Sequence, residues 1–139
     1  MKTCTVKVNV QNILRSYKSF GVNINSNETY LTADIEFDTP VKYIVHGGRG
    51  QSVSKDDAML FLMQDGTVRY LNIVNALTSN EFTSKYNVLP SPKRIDSLNN
   101  ITEIYAVNYR SFNTAVTGNP ADTIAIRSDG SLIHIMDYV

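Results

Sequence analysis

Hydrophobic and polar residues alternate with a period of two through much of the chain. In CTVKVNV, Cys4, Val6, Val8 and Val10 fall on one side, and Thr5, Lys7 and Asn9 on the other. In YLTADIEFD, Leu31, Ala33, Ile35 and Phe37 alternate with Thr32, Asp34, Glu36 and Asp38. Successive side chains of a strand point to opposite faces, so each run predicts a half-buried strand. VKYIV at 41–45 and ITEIYAV at 101–107 are further runs rich in β-branched and aromatic residues. Long stretches of 3.6 period are absent. The spacing of Ile13, Leu14 and Tyr17 allows one short helix in NVQNILRSYKSF, and a helical turn is allowed near 75–80. The segment 84–100, SKYNVLPSPKRIDSLNN, holds two prolines close together and reads as a long connection.

Two stretches say nearly the same thing. AMLFLMQDGTVRYLNI at 58–73 and TIAIRSDGSLIHIM at 123–136 each place Asp-Gly between two β runs. Asp-Gly between hydrophobic runs is a strong hairpin signal, and a two-residue type I′ loop is the form it commonly takes. That loop predicts a register in which Met63 faces Val68, Phe61 faces Tyr70 and Leu60 faces Leu71. In the second hairpin, Arg127 then faces Leu132, Ala125 faces His134 and Ile124 faces Ile135. Overlaying the turns aligns Leu60 with Ile124, Leu62 with Ile126 and Leu71 with Ile135, so the two hairpins share an aliphatic face. VKYIV precedes the first and ITEIYAV the second. The expected fold is therefore all-β: one domain over 1–139, built of antiparallel hairpin units in an internal repeat. Two units are clear, at about 41–73 and 101–138, and a fainter third spans about 3–37 with its turn at 25–27. Units that each expose an apolar face must stack or close around a shared core. Propeller-like blades, a β-trefoil and a β-sandwich all satisfy this.

VKYIVHGG followed by AMLFLMQDGTVRYL, and ITEIYAVNY followed by DTIAIRSDGSLIHI, resemble the blades of propellers made of regulator-of-chromosome-condensation-type repeats. Those blades run strand, Gly-rich turn, aliphatic strand into Asp-Gly, and short return strand. The resemblance covers about half of the chain and implies a blade-like hairpin and no function. The chain departs from that family in being too short for a closed seven-bladed ring, in its uneven turn-to-turn spacing, and in having no tryptophan for the family's Trp-Gly ending.

Composition narrows the function. A chain of 139 residues with a 42% hydrophobic fraction can bury a core without a metal or disulfide staple. Thirteen basic residues balance thirteen acidic ones. A protein that holds nucleic acid by phosphate neutralisation normally shows a basic excess, so no nucleic-acid partner is expected. Cys4 is the only cysteine, which excludes an intramolecular disulfide. No apolar run approaches the ~20 residues that span a bilayer. MKTCTVKVNV lacks the apolar segment of a secretory signal. The expectation is a cytoplasmic or virion-associated protein without membrane insertion.

Candidate chemistry is sparse. His46 and His134 are the only histidines, and with Cys4 they do not form the closely spaced pairs of a zinc site, so no metal or other cofactor is expected. His46 precedes Gly47-Gly48-Arg49-Gly50, but Gln51 and Ser52 follow where a phosphate loop requires Lys and Ser or Thr. Asp34, Glu36 and Asp38 share one strand face and read as a solvated surface; acid–base catalysis would require them to line a pocket. Asn-Glu-Thr at 27–29 and Asn-Ile-Thr at 100–102 match the glycosylation sequon, a pattern that arises readily in an Asn- and Thr-rich chain. Long loops interrupt both clear units, at 47–57 and 108–122. Long loops on a rigid β scaffold commonly carry function. The second holds Tyr109, Arg110 and Phe112, and the first holds Arg49, residue types enriched at interface hot spots. These four are the candidate binding residues. The expected function is non-enzymatic: protein–protein contact or self-assembly as a structural subunit of virion or cell-surface type. The alternative is a lectin-like carbohydrate-binding module with a glycan partner, although Trp, the common sugar-stacking residue, is missing. A hydrolase or isomerase using Asp34 or Glu36 is the third reading.

Overall fold

The structure is a computed structural model, and it describes residues 4–10, 32–46, 58–72, 76, 88–106 and 123–138. It is predominantly β, in antiparallel hairpin sheets. In chain order the strands are β1 (Cys4–Asn9), β2 (Thr32–Phe37), β3 (Val41–His46), β4 (Ala58–Met63), β5 (Val68–Asn72), β6 (Lys93–Arg94), β7 (Ile101–Ala106), β8 (Thr123–Arg127) and β9 (Leu132–His134). A 3₁₀ turn, Ile135–Tyr138, follows β9. The short helix allowed near 13–17 and the turn at 25–27 lie outside the described residues, as does all of 75–80 except Ala76.

Three sheets form. The first pairs β1 with β2; the second has the order β3-β4-β5-β6; the third has the order β7-β8-β9. The alternation read in CTVKVNV and TADIEF is realised in the first sheet, where Val6 stands opposite Ile35 and Val8 opposite Ala33. Its other face pairs Thr5 with Glu36 and Lys7 with Asp34, and is polar.

The second sheet lies between the other two. Phe61 and Met63 pack with Val8, Ile35 and Phe37 of the first sheet. Leu60, Leu62 and Val68 pack with Ile101, Ile104 and Ala125 of the third. Consecutive residues of β4 therefore serve opposite cores, which explains why AMLFLM is apolar without alternation. Leu60, Phe61 and Leu62 are all fully buried.

The Asp-Gly loops correct the expected register. Gly66 N–H donates to Met63 C=O (3.1 Å) and Met63 N–H to Thr67 C=O (2.9 Å). The same pair recurs as Gly130 to Arg127 (2.9 Å) and Arg127 to Ser131 (2.9 Å). The loop thus has three residues, with only its glycine at positive φ: 84° at Gly66 and 87° at Gly130. This is a tight turn closed by a glycine bulge, not a type I′ turn, which would need Asp65 and Asp129 at positive φ as well. Phe61 consequently stands opposite Arg69, Leu60 opposite Tyr70, and Met59 opposite Leu71. Ala125 stands opposite Ile133 and Ile124 opposite His134. A one-residue slip exchanges faces. Leu71 joins the first-sheet core rather than the face of Leu60, and Ile135 belongs to the 3₁₀ turn.

The aspartates fix these loops. Asp65 Oδ1 accepts from Thr67 N–H (3.0 Å) and hydroxyl (2.6 Å). Asp129 Oδ1 accepts from Ser131 N–H (2.8 Å) and hydroxyl (2.6 Å). Side-chain hydrogen bonds from Thr67 and Ser131 hold both carboxyls below the usual carboxylate range.

The second and third sheets correspond in further detail. Each opens with a strand carrying a bulge, between Val41 and Tyr43 and between Ile101 and Glu103. The extra residue lets Val41 and Ile44 share the first-sheet side, and Ile101 and Ile104 the inner core of the third. In each sheet the loop is tied to the residue before that strand, by Gln64 N–H to Pro40 C=O (3.0 Å) and Ser128 N–H to Asn100 C=O (2.8 Å). The connection read at 84–100 holds more structure than a loop. Val88 forms a parallel bridge with Asp34, and β6 adds a fourth strand beside β5.

The second sheet covers the β7 edge of the third. Tyr43 oxygen accepts from Ile104 N–H (2.6 Å). Its one proton has two acceptors in reach, Ile104 C=O (2.6 Å) and Glu103 Oε2 (2.9 Å). Lys42 Nζ donates to Thr102 C=O (2.9 Å). Edge strands with unpaired backbone are templates for unwanted pairing, and these two side chains occupy the edge of β7. Burial pushes the Tyr43 hydroxyl above its ordinary pKa, and the Glu103 carboxylate adds to the rise; the Ile104 N–H, which would favour a phenolate, opposes it. The raised folded value means that the protonated hydroxyl stabilises the fold below about pH 10, and that this contribution is lost as pH climbs through the folded pKa. Tyr43→Phe is expected to cost about 1–2 kcal/mol at neutral pH by orphaning the Ile104 backbone. Urea titrations at neutral pH and above the ordinary tyrosine pKa should show a smaller alkaline loss in the variant than in the wild type. An unchanged alkaline loss would remove Tyr43 as its source.

Candidate functional site

The four binding residues expected from sequence, Arg49, Tyr109, Arg110 and Phe112, lie outside the described residues. The strands flanking their loops are described. β3 and β4 bracket 47–57, and β7 and β8 bracket 108–122. β3 and β7 take corresponding places in neighbouring sheets and run alongside one another, Lys42 reaching Thr102 and Tyr43 reaching Glu103. The C-terminal ends of β3 and β7 therefore lie at corresponding ends of their sheets.

The remaining chemical candidates are dispersed. Asp34 and Glu36 stand on the polar face of the first sheet, Asp34 in an ion pair with Lys7 (3.0 Å). Asp38 pairs with Arg69 (2.7 Å), and hydrogen bonding and charge from Arg69 hold its carboxyl below the usual range. Cys4 is a free, half-buried thiol on the core side of β1. His46 ends β3. His134 stands on β9 opposite Ile124. Among the described residues, no group of three His, Cys, Asp or Glu side chains is placed to hold a metal ion, and no helix is long and apolar enough to cross a membrane.

Two surface features stand out. One is an open cleft of about 260 Å³ at the end of β5 and β6, lined by Tyr70, Asn72, Ser91 and Lys93 among others. The other is the outer face of the third sheet. The register places Glu103, Ile126 and Leu132 in one row and Tyr105, Ile124 and His134 in the next. Leu132 is 63% exposed and Tyr105 47%. Ile124 and Ile126 between them are half-buried. The face thus has an apolar centre flanked by one acid and one imidazole.

The corresponding positions of the second sheet show what such a face does. There Tyr43, Val45, Leu60, Leu62, Val68 and Tyr70 belong to the core shared with the third sheet. The patch was missed in the sequence because the two-residue loop put Leu132 beside Arg127 and His134 beside Ala125. Counting the loop as three residues would have gathered the six side chains. The small polar residue after each Asp-Gly, Thr67 and Ser131, was the available signal, since Asp bonding two residues ahead marks such turns.

No family model, curated protein or solved structure matches the chain.

Proposed function

We propose that this chain is a non-enzymatic β module that works by protein–protein contact, as a subunit of a larger assembly of the virion or cell-surface structural kind. The observation that carries this reading is the asymmetry of the stack. The first sheet turns a polar face outward, with Lys7 and Asp34 paired upon it. The third turns out a face on which Tyr105 and Leu132 are exposed. Stacked β units normally carry a polar outer cap for solubility. An end without one is in place to be covered. The candidate residues read from the sequence, Arg49, Tyr109, Arg110 and Phe112, are proposed to serve the same contacts. The blade-like hairpin units support a propeller-type stack as the scaffold.

Light scattering on the purified chain over a wide concentration range, with capture of complexes from the source, tests this. A discrete oligomer or a stable stoichiometric complex is the expected result. A chain that stays monomeric and captures no stable partner overturns it.

A carbohydrate-binding role is the second reading, and the cleft beside β6 is what favours it. Tyr70 offers a ring, and Asn72, Ser91 and Lys93 offer hydrogen-bonding groups. A glycan array with no binding at high protein concentration removes it.

A further inference from the structure

We propose that the outer face of the β7-β8-β9 sheet is a homodimer interface, on which a second copy of this chain seats the same face about a two-fold axis. The inference rests on the protein-contact reading above and names its partner.

The choice of a second copy follows from what each face offers. The inner faces of all three sheets are already occupied within the chain. The outer face of the first sheet carries Thr5, Lys7, Asn9, Thr32, Asp34 and Glu36. Seating the apolar patch there would bury the Lys7–Asp34 ion pair against leucine and tyrosine, and desolvating such a pair is costly. Head-to-tail stacking, which would run on into a filament, is therefore disfavoured. The same patch on a second copy remains, apolar on apolar, and an isologous contact of that kind closes at two.

Polar complementarity fits the pairing. Glu103 and His134 sit at opposite corners of the six-residue patch, and Tyr105 and Leu132 at the other two. A two-fold axis lying between the sheets along the line from Tyr105 to Leu132 sets each of these side chains near its own copy. It also brings Glu103 of each chain close to His134 of the other, a carboxylate acceptor near an imidazole N–H donor. The strands of the two copies then cross steeply, which is the orthogonal class of sheet packing. Ile124 and Ile126, half-buried in the single chain, lie at the middle of the contact.

The test is light scattering and sedimentation of the full chain, wild type beside Leu132→Lys and Thr5→Lys. Leu132 is exposed in the single chain, so its replacement leaves folding intact, and thermal melting verifies this. The expected result is a wild-type mass that stops at twice the chain. Leu132→Lys should raise the dimer dissociation constant by about tenfold or more, and Thr5→Lys, on the opposite face, should leave it unchanged. An oligomer indifferent to Leu132→Lys, or one whose mass keeps growing with concentration, overturns this interface while leaving the protein-contact reading standing. A wild-type chain that is monomeric at every concentration also overturns it; the broader reading then fails only if no foreign partner is captured.

Discussion

Phe61→Ala is expected to remove about 3–5 kcal/mol of stability, the range for truncating a buried aromatic. Phe61 is fully buried in β4. Its ring lies 5.1 Å from that of Phe37, tilted at 56°, so it joins the first sheet to the second. Arg69, opposite Phe61 on β5, holds its guanidinium 5.9 Å from the Phe37 ring. Deleting the Phe61 ring leaves a cavity that collapse cannot readily fill, because Leu60 and Leu62 on either side are committed to the other core. Domains are stable by only about 5–15 kcal/mol, so the loss is a large share of the total. Urea unfolding reads it directly. A loss below about 1 kcal/mol would mean that the first sheet does not depend on the second for its core.

The second large effect distinguishes two glycines that look equivalent in sequence. Gly66→Ala is expected to cost about 2–4 kcal/mol and Gly130→Ala about 1–2 kcal/mol, the left-handed backbone alone accounting for the smaller figure. Both sit at positive φ, 84° and 87°. A Cβ on Gly130 meets nothing within 4 Å, whereas one on Gly66 comes 3.3 Å from the Asn100 N and Cα atoms and 3.4 Å from Ile101 N. Those neighbours are backbone, and they are held. Gly66 C=O accepts from Ile101 N–H (2.9 Å), and Asn100 itself has φ 59°. The first loop is thus the joint between the second and third sheets, and the second loop is free of any such duty. Parallel thermal melts of the two variants test this; equal shifts would show that the Gly66 joint carries no packing strain.

Much of this architecture was legible in the chain. The period-two runs gave β1 and β2 with their inward faces as expected. The two Asp-Gly sites gave both hairpins, and VKYIV and ITEIYAV gave the strands that precede them. The register was misplaced by one residue because Asp-Gly fits both a two-residue loop and the end of a three-residue one. The choice between them rests on where φ turns positive, and on Thr67 and Ser131 bonding back to the aspartates. The bulges in β3 and β7 left a trace in the three-residue spacing of Val41 and Ile44, and of Ile101 and Ile104, which reads as no strand period. The short strand at Lys93–Arg94 left none, since two exposed basic residues between prolines and turns have no apolar face to betray them.

Local pattern by itself determined that this chain is β, that it makes a hairpin at each Asp-Gly, and which side of β1 and β2 is dry. Those properties depend on neighbours one to four residues away, and alternation and turn chemistry encode them. Which sheet covers which face was decided by tertiary structure alone. AMLFLM is greasy on both sides, and only the arrival of Phe37 on one side and Ile104 on the other assigns Phe61 to one core and Leu62 to the next. The patch of Tyr105, Ile124, Ile126 and Leu132 is no more apolar in sequence than the buried face of the second sheet. It differs in having, among the described residues, no following sheet upon it, and that is a property of the stack rather than of any residue in it.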